Sequence, residues 1–222
     1  MIFTAVIPAR GGSKSIKNKN IYLVKKKPLI HYTIENAIKS NAFKHIVITS
    51  DSKKILNLCS EYKNIRLVKR PKIISTDRSK TVDAILHSIK NMKLFNIFSD
   101  VIIILEPTSP LRSVKTILEA VQAFKKNKKI DSLISVTETK ALYGKISKGN
   151  TFNYFEKNIK RRRQDRTPIY KETGTIWGTK TKYVLKNKKI VGGKIHPLII
   201  SKNEDLDIND KKDIKMLMQL LK

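Results

Sequence analysis

At 222 residues, 40% of them hydrophobic, the chain can bury one sizeable core, or one core with a small appendage. Forty-seven Lys and Arg against 18 Asp and Glu leave a net charge of +29, which fits either a solvated lysine-rich surface or the steering of an anionic partner, nucleic acid included. The single Cys59 rules out an internal disulfide, no run approaches the roughly 20 apolar residues of a membrane span, and MIFTAVIPAR carries no basic leader; a cytoplasmic protein is expected.

In chain order, apolar spacing predicts a buried strand over Ile2 to Ile7, a helix over Leu29 to Ser40 and a strand over His45 to Thr49. A helix over Ser52 to Tyr62 puts Ile55, Leu56 and Cys59 on one face, where Cys59 packs. There follow a short strand at Ile65 to Val68, a helix over Thr81 to Met92, and the strongly apolar strand Asp100 to Leu105. Val114 to Lys126 reads as a helix with Ser113 as its N-cap, and Ser132 to Thr137 as extended. Strands alternating with helices imply an α/β fold, a parallel doubly wound sheet covered on both faces. Past Thr137 the alternation fails, and KISKGNTFNYFEKNIKRRRQDRTPIY reads as a β excursion or arm. TGTIWGT and GKIHPLII are extended, and a helix over Asp210 to Leu221 closes the chain.

Ligands of an open parallel sheet bind beyond the carboxyl ends of its strands, where the loop after Ile7 lies. In IPARGGSKSIKNKN, backbone N–H groups of Arg10, Gly11, Gly12, Ser13 and Lys14 can wrap a phosphate chain while Arg10, Lys14 and Lys19 neutralise it. Neither a Walker A loop nor a GxGxxG fingerprint is present, and an ordinary βα turn has the same spacing. The second loop, LEPTSPLR, offers two backbone-fixing prolines, the hydroxyls of Thr108 and Ser109, and Arg112 as an anion clamp. The lysine pairs and triplets are spread over loops and helix ends, without a basic stripe of interleaved aromatics. His31, His45, His87, His196 and Trp177 read as packing or surface residues, and no nucleophile, base and orienter set is visible.

Taken in order, IPARGGSK with Lys19-Asn20, KPLIHYTIENAIKS, VITSDS, Arg70-Pro71, PTSPLR and the RRQ of Arg162 to Gln164 resemble the acylneuraminate cytidylyltransferases, from residue 2 to about residue 215. The resemblance implies a Rossmann-like nucleotidyltransferase fold in one domain over residues 1–222, with a dimerisation excursion at about 140–172. It implies transfer of CMP from CTP to a nine-carbon acidic sugar, with Mg2+, in a homodimer that exchanges the arm. By position, Arg10 and Lys19 hold the triphosphate and stabilise the leaving pyrophosphate. Gly11, Gly12, Ser13, Lys14 and Asn20 complete the loop, Arg70 and Thr81 lie beside the cytidine, and Arg163, Gln164 and Tyr170 lie near the sugar.

The metal is expected at EDLDIND, where the family carries two aspartates: registering on Asp213 selects Asp207 and Asn209, and a register shifted by two selects Asp205 and Asp207. Acidic residues ahead of a helix are also favoured by its dipole alone. Glu106 stands where the family has glutamine, and is assigned to the sugar; Thr173 and Ser15 are further departures. Another acidic sugar such as 3-deoxy-octulosonate, and a basic nucleic-acid-binding module, are the alternative functions.

Overall fold

The computed structural model describes residues 1–221. Strand β1 (Phe3–Pro8) is followed by a loop and the two-residue strands β2 (Leu23–Val24) and β3 (Lys27–Pro28), which lead into helix α1 (Leu29–Lys39). Then come β4 (His45–Ser50), α2 (Lys53–Cys59), β5 (Ile65–Lys69), α3 (Thr81–Leu94), β6 (Val101–Ile104) and α4 (Val114–Lys126). The second half holds β7 (Ser132–Thr139), β8 (Gly144–Ser147), β9 (Thr151–Tyr154), β10 (Ile169–Lys180), α5 (Thr181–Asn187), β11 (Ile195–Ile199) and α6 (Lys211–Leu220).

Seven strands form the main sheet in the order β11-β7-β10-β6-β1-β4-β5. The β1–β4, β1–β6, β4–β5 and β11–β7 pairs are parallel, while β10 is antiparallel to both β6 and β7. The alternation read from the sequence therefore becomes a mostly parallel sheet with one reversed strand. The reversal follows from the excursion: β7 ends in a hairpin rather than a crossover helix, and β10 returns alongside it. Antiparallel neighbours need no crossover connection.

Period-two side chains of β1 feed both faces. Phe3, Ala5 and Ile7 pack with Ile30 and Ile34 of α1, Ile55 of α2 and Phe124 of α4 on one face, whereas Val6 packs with Ile85 and Ile89 of α3 and Val184 of α5 on the other. Each fully buried Ile contributes roughly 1.5–3 kcal/mol. Gly178 in β10 is what lets α4 settle so close, because a Cβ there would lie 2.6 Å from Phe124 Cε2. A third cluster joins Ile16 and Val24 to Ile208 and to Ile214 and Leu217 of α6, which ties the loop after β1 to the end of the chain. Helix starts follow the sequence: Ser52 and Ser113 accept from Ile55 and Thr116 N–H, and Asp210 with Asp213 forms a capping box. Cys59 is fully buried, and burial pushes its thiol up to about 12.

Between β7 and β10 the chain leaves the sheet. The β8–β9 hairpin pairs Gly144 with Tyr154 through Ser147 with Thr151, and a single 3-10 turn covers Arg163–Asp165. Ile169 to Glu172, the start of β10, then pairs with Thr139 to Val136 of β7.

Candidate functional site

Strand order reverses at β1: β4 follows it on one side and β6 adjoins it on the other. The loops after β1 and β6 meet over this switch point, the place where such sheets open a crevice. A cleft of about 270 Å³ lies there, lined by Arg10, Gly12, Ser13, Lys19, Asn20, Arg70, Thr81, Glu106 and Thr108, with the loop from Ile74 to Lys80 as its outer wall. Most of the residues singled out in the two loops thus share one cavity.

The glycine loop is shaped by its own contacts. Gly11 N–H donates to Asp51 Oδ1 at 2.8 Å, and a Cβ on Gly11 would come within 2.8 Å of Ser52 Cβ, so that glycine is needed for close approach. Asn20 Nδ2 donates to the Arg10 carbonyl at 2.9 Å. Lys19 Nζ donates to the Ile208 carbonyl at 2.8 Å, so one cation of the loop bridges to the last segment. Arg10 and Lys14 both turn to a carboxylate the sequence reading did not single out. Arg10 Nη1 pairs with Asp77, and Lys14 Nζ lies 3.0 Å from it. Hydrogen bonds from Lys14 and Arg10 hold the Asp77 carboxyl below its usual range. An anion therefore already engages the two cations at the mouth of the cleft.

Arg70 presents the opposite case. It is 5% exposed, its Nε has no hydrogen-bond partner among the described residues, and burial lowers its pKa. A buried guanidinium nitrogen without a partner is costly unless a ligand supplies an acceptor. Arg112, expected as an anion clamp, faces the interior instead. It is 1% exposed and donates through Nε to the Thr175 carbonyl at 2.6 Å and through Nη2 to the Glu106 carbonyl at 2.7 Å. Its fork anchors the turn to β10, and the anion-clamp reading of Arg112 is corrected accordingly.

Glu106 sits half-buried on the cleft wall. Among the described residues only its backbone carbonyl is hydrogen-bonded, by Arg112, Thr33 and the Ser109 N–H. Burial pushes its carboxyl up to about 7, the Arg112 charge works against that, and the nearby Asp207 charge adds to it. Asp207 is thus a close neighbour of Glu106. Asn209 Nδ2 donates to Asp207 Oδ2 at 3.0 Å, and the Asn209 carbonyl accepts from Ser15 Oγ. Asp205 points elsewhere, to Lys171 Nζ at 2.5 Å and Thr137 Oγ1 at 3.3 Å. Among the described residues no three His, Cys, Asp or Glu side chains converge. Mg2+ takes only one or two carboxylates besides substrate phosphates, and the hard oxygens of Asp207 and Asn209 beside the cleft fit it.

Arg163 and Gln164 are exposed in the 3-10 turn of the arm, and Tyr170 lines a separate apolar cleft of about 680 Å³ with Tyr143, Phe155 and Ile169. The fold does not bring these three to the cleft of Arg10 within one chain. Glu204 was also missed. It is a buried carboxylate that accepts from Ser113 N–H at 2.7 Å and from Thr116 Oγ1 at 2.8 Å. Only the general rule that a buried acid needs a partner could have flagged it, and the partner lies about ninety residues away. His31 packs edge-on to Tyr62 at 5.3 Å, and Trp177 Nε1 donates to Glu172 Oε1 at 3.0 Å, outside the cleft.

Among known proteins, the N-acylneuraminate cytidylyltransferase of Escherichia coli is 28% identical over 219 residues, covering 97% of this chain and 51% of that protein, so the chain spans about half its length. CMP-N,N'-diacetyllegionaminic acid synthase of Legionella pneumophila is 30% identical over 229 residues and is covered over 97% of its length, with 100% of this chain. Pseudaminic acid cytidylyltransferase of Campylobacter jejuni is 31% identical over 223 residues, covering 98% of this chain and 95% of that one. Of solved structures, a CMP:2-keto-3-deoxy-manno-octonic acid synthetase complexed with CTP superposes with a TM-score of 0.74 at 12% identity, over 100% of this chain and 98% of that chain. A 4-diphosphocytidyl-2C-methyl-D-erythritol synthase does so at 0.75 and 9%, over 100% and 98%; at such identities the likeness concerns the fold. The cytidylyltransferase profile matches residues 4–192, through every strand of the sheet but the edge strand β11, and the chain belongs to the cytidylyltransferase family.

Proposed function

We propose that this protein transfers CMP from CTP to a nine-carbon acidic sugar of the N-acylneuraminate or legionaminate type. The observation that carries the reading is one cleft that gathers the glycine loop, the cations Arg10 and Lys19, the unpartnered Arg70 and the carboxylate Glu106. The relatives named for legionaminic and pseudaminic acids, matched over nearly their whole length, support the class of sugar.

In this reaction the anomeric hydroxyl oxygen bonds to the α-phosphorus, the bond to the bridging oxygen breaks, pyrophosphate leaves and the hydroxyl proton passes to water. Little covalent work falls to the protein, so alignment and neutralisation of spreading negative charge carry the rate. Arg10 and Lys19 donate to the triphosphate, Ser13 and Lys14 extend the loop, and Gly12 lets the backbone approach; Gly11, whose N–H is spent on Asp51, anchors the loop instead, and Asn20 fixes it by holding the Arg10 carbonyl. Arg70 and Thr81 take the nucleoside side. Glu106 accepts from a sugar hydroxyl or amide, since an ionised carboxylate repels phosphate and sugar carboxylate alike. Asp207 and the side-chain carbonyl of Asn209 would hold Mg2+ together with substrate phosphates, and the ion would supply charge neutralisation at the leaving group. Lys171 engages Asp205, which favours the Asp207 register.

The arm completes the site in a homodimer. Arg163, Gln164 and Tyr170 reach the sugar of the partner subunit, and the apolar cleft around Tyr170 is covered by the partner. No helix among the described residues is long and apolar enough to cross a membrane, in keeping with an enzyme acting on dissolved sugars in the cytoplasm.

The test is pyrophosphate release from each of the four nucleotides with Mg2+ and a panel of nonulosonic acids plus 3-deoxy-octulosonate, with products identified by mass. CMP-linked nonulosonate as the main product supports the proposal, and turnover with octulosonate alone replaces the sugar. No turnover, with salt-sensitive binding of duplex or RNA instead, favours the basic module suggested by the +29 charge.

A further inference from the structure

The segment from Glu204 to Asn209 is fastened at both ends. At the near end the Glu204 carboxylate, buried beneath the start of α4, accepts from Ser113 N–H at 2.7 Å, from Thr116 Oγ1 at 2.8 and 3.0 Å, and from Ser201 Oγ at 3.3 Å. Its backbone carbonyl accepts from Thr175 Oγ1 at 3.0 Å. At the far end the buried Ile208 donates its N–H to the Thr108 carbonyl at 2.8 Å and accepts from Lys19 Nζ at 2.8 Å, while the Asn209 carbonyl accepts from Ser15. Asp205, Leu206 and Asp207 lie between these fastenings; Asp205 is taken up by Lys171 and Thr137, which leaves Asp207 as the carboxylate beside Glu106.

Helix α4 has no need of Glu204 for its own cap, because Ser113 Oγ already accepts from Thr116 N–H at 3.1 Å. What the carboxylate adds is a tie between two pieces of chain about ninety residues apart: the start of α4, which directly follows the loop of Glu106 and Thr108, and the segment that carries Asp207. A negative charge on the N-terminus of a 13-residue helix is held by the helix dipole as well as by the hydrogen bonds.

We propose that Glu204 is a positioning residue for the metal site, setting the height of Asp207 over the cleft through the Glu204–α4 tie. This rests on Asp207 being a metal ligand, as in the function proposed above. Replacing the carboxylate with an amide weakens the tie to Ser113 and Thr116 and lets the segment ride away from the turn, so Asp207 loses its place while the nucleotide loop keeps its own contacts.

The experiment uses Mn2+ as probe, its binding read by electron paramagnetic resonance on protein saturated with a CTP analogue whose α,β-bridge is methylene, and analogue affinity read by calorimetry. Glu204→Gln is expected to weaken Mn2+ binding about tenfold with analogue affinity within about twofold, and Glu204→Gln/Asp207→Asn to bind no worse than Asp207→Asn, since coupled residues are non-additive. Thr116→Val, which removes the hydroxyl donor and leaves the Ser113 contact, should shift Mn2+ binding the same way by less. Unchanged Mn2+ binding in a folded Glu204→Gln protein, or losses that multiply in the double variant, overturns the proposal. If no acidic sugar is turned over while the binding cycle stays non-additive, the sugar assignment falls and the role of Glu204 stands.

Discussion

In the cleft at the head of β1 and β6, charged groups are held against the sheet: Arg112 is locked to carbonyls, Lys19 bridges to Ile208, and Gly11 hangs on Asp51. In the arm between β7 and β10, apolar groups lie in the open. Ile146 and Phe155 are each 70% exposed, and Phe152, Tyr154, Ile169 and Tyr170 are exposed beside them. The β8–β9 hairpin pairs only with itself, and an isolated two-stranded hairpin is marginal in water. The cleft is packed into the fold and presents cations, whereas the arm stands away from the core and presents apolar side chains. The first suits small anions, and the second suits the partner subunit of the proposed homodimer.

The comparison breaks most visibly at Asp207. Asp207→Ala is expected to lower turnover at least about a hundredfold, the scale of losing a principal electrostatic group, while Asn209→Asp leaves it equal or better; pyrophosphate release decides, and a larger loss with Asp205→Ala moves the metal register. Arg10→Ala should cost at least about tenfold, because a charge-assisted phosphate contact is worth roughly 1.5–3 kcal/mol. The circular dichroism spectrum should be unchanged, since Arg10 packs no core. On the arm, Phe155→Ser with Ile169→Ser should weaken self-association at least about tenfold, since each buried large apolar side chain is worth roughly 1.5–3 kcal/mol. Sedimentation then shows monomers with the CTP-analogue affinity intact, and a variant that stays dimeric removes the arm from the interface.

Glu106 sharpens the comparison through pH. Its folded pKa is raised to about 7, so the native state binds its proton more tightly than the unfolded chain does. That contribution to stability is full below the unfolded value of roughly 4.3 and is lost as pH rises through about 7. Ligand-free Glu106→Gln should therefore be more stable than the parent by up to roughly 3–4 kcal/mol at pH 8 and little different at pH 4, read from urea midpoints. It should also re-rank acidic sugars, and equal kinetics for every sugar would mean that Glu106 has no part in choosing them. The smallest effect is expected at Asp77, whose exposed pairing with Arg10 and Lys14 must yield to the triphosphate. Asp77→Asn should tighten analogue binding about two- to fivefold, as exposed ion pairs are weak competitors. Looser binding would make Asp77 a helper instead.

Much of this was legible in the residues. Apolar runs such as VIIILE mark buried strands, 3.6-residue spacing marks α1, α3 and α4, and glycines with cations just after a strand mark the cleft. What escaped depended on contacts between distant positions. The direction of β10 is set by its return beside β7, which no local period records. Arg112 looks like a clamp because arginines are mostly exposed, and its inward turn depends on free carbonyls at Thr175 and Glu106. Asp205 and Asp207 are two alternative registers by spacing, and what sets Asp205 apart is its contact with Lys171 and Thr137, both distant in sequence.

Strand β10 has a consequence for how such proteins can be recombined. Its first residues, Ile169 to Glu172, continue the arm, while Trp177 to Lys180 are registered between β6 and β7 in the middle of the sheet. The arm is therefore no cassette. A chimera that exchanges everything from the end of β7 to the end of β10 imports a foreign central strand, and any residue larger than glycine at Gly178 would strike Phe124. Crossovers between Ala141 and Gly144 and between Arg166 and Ile169 leave the sheet native, and arms exchanged between those points should give folded hybrids.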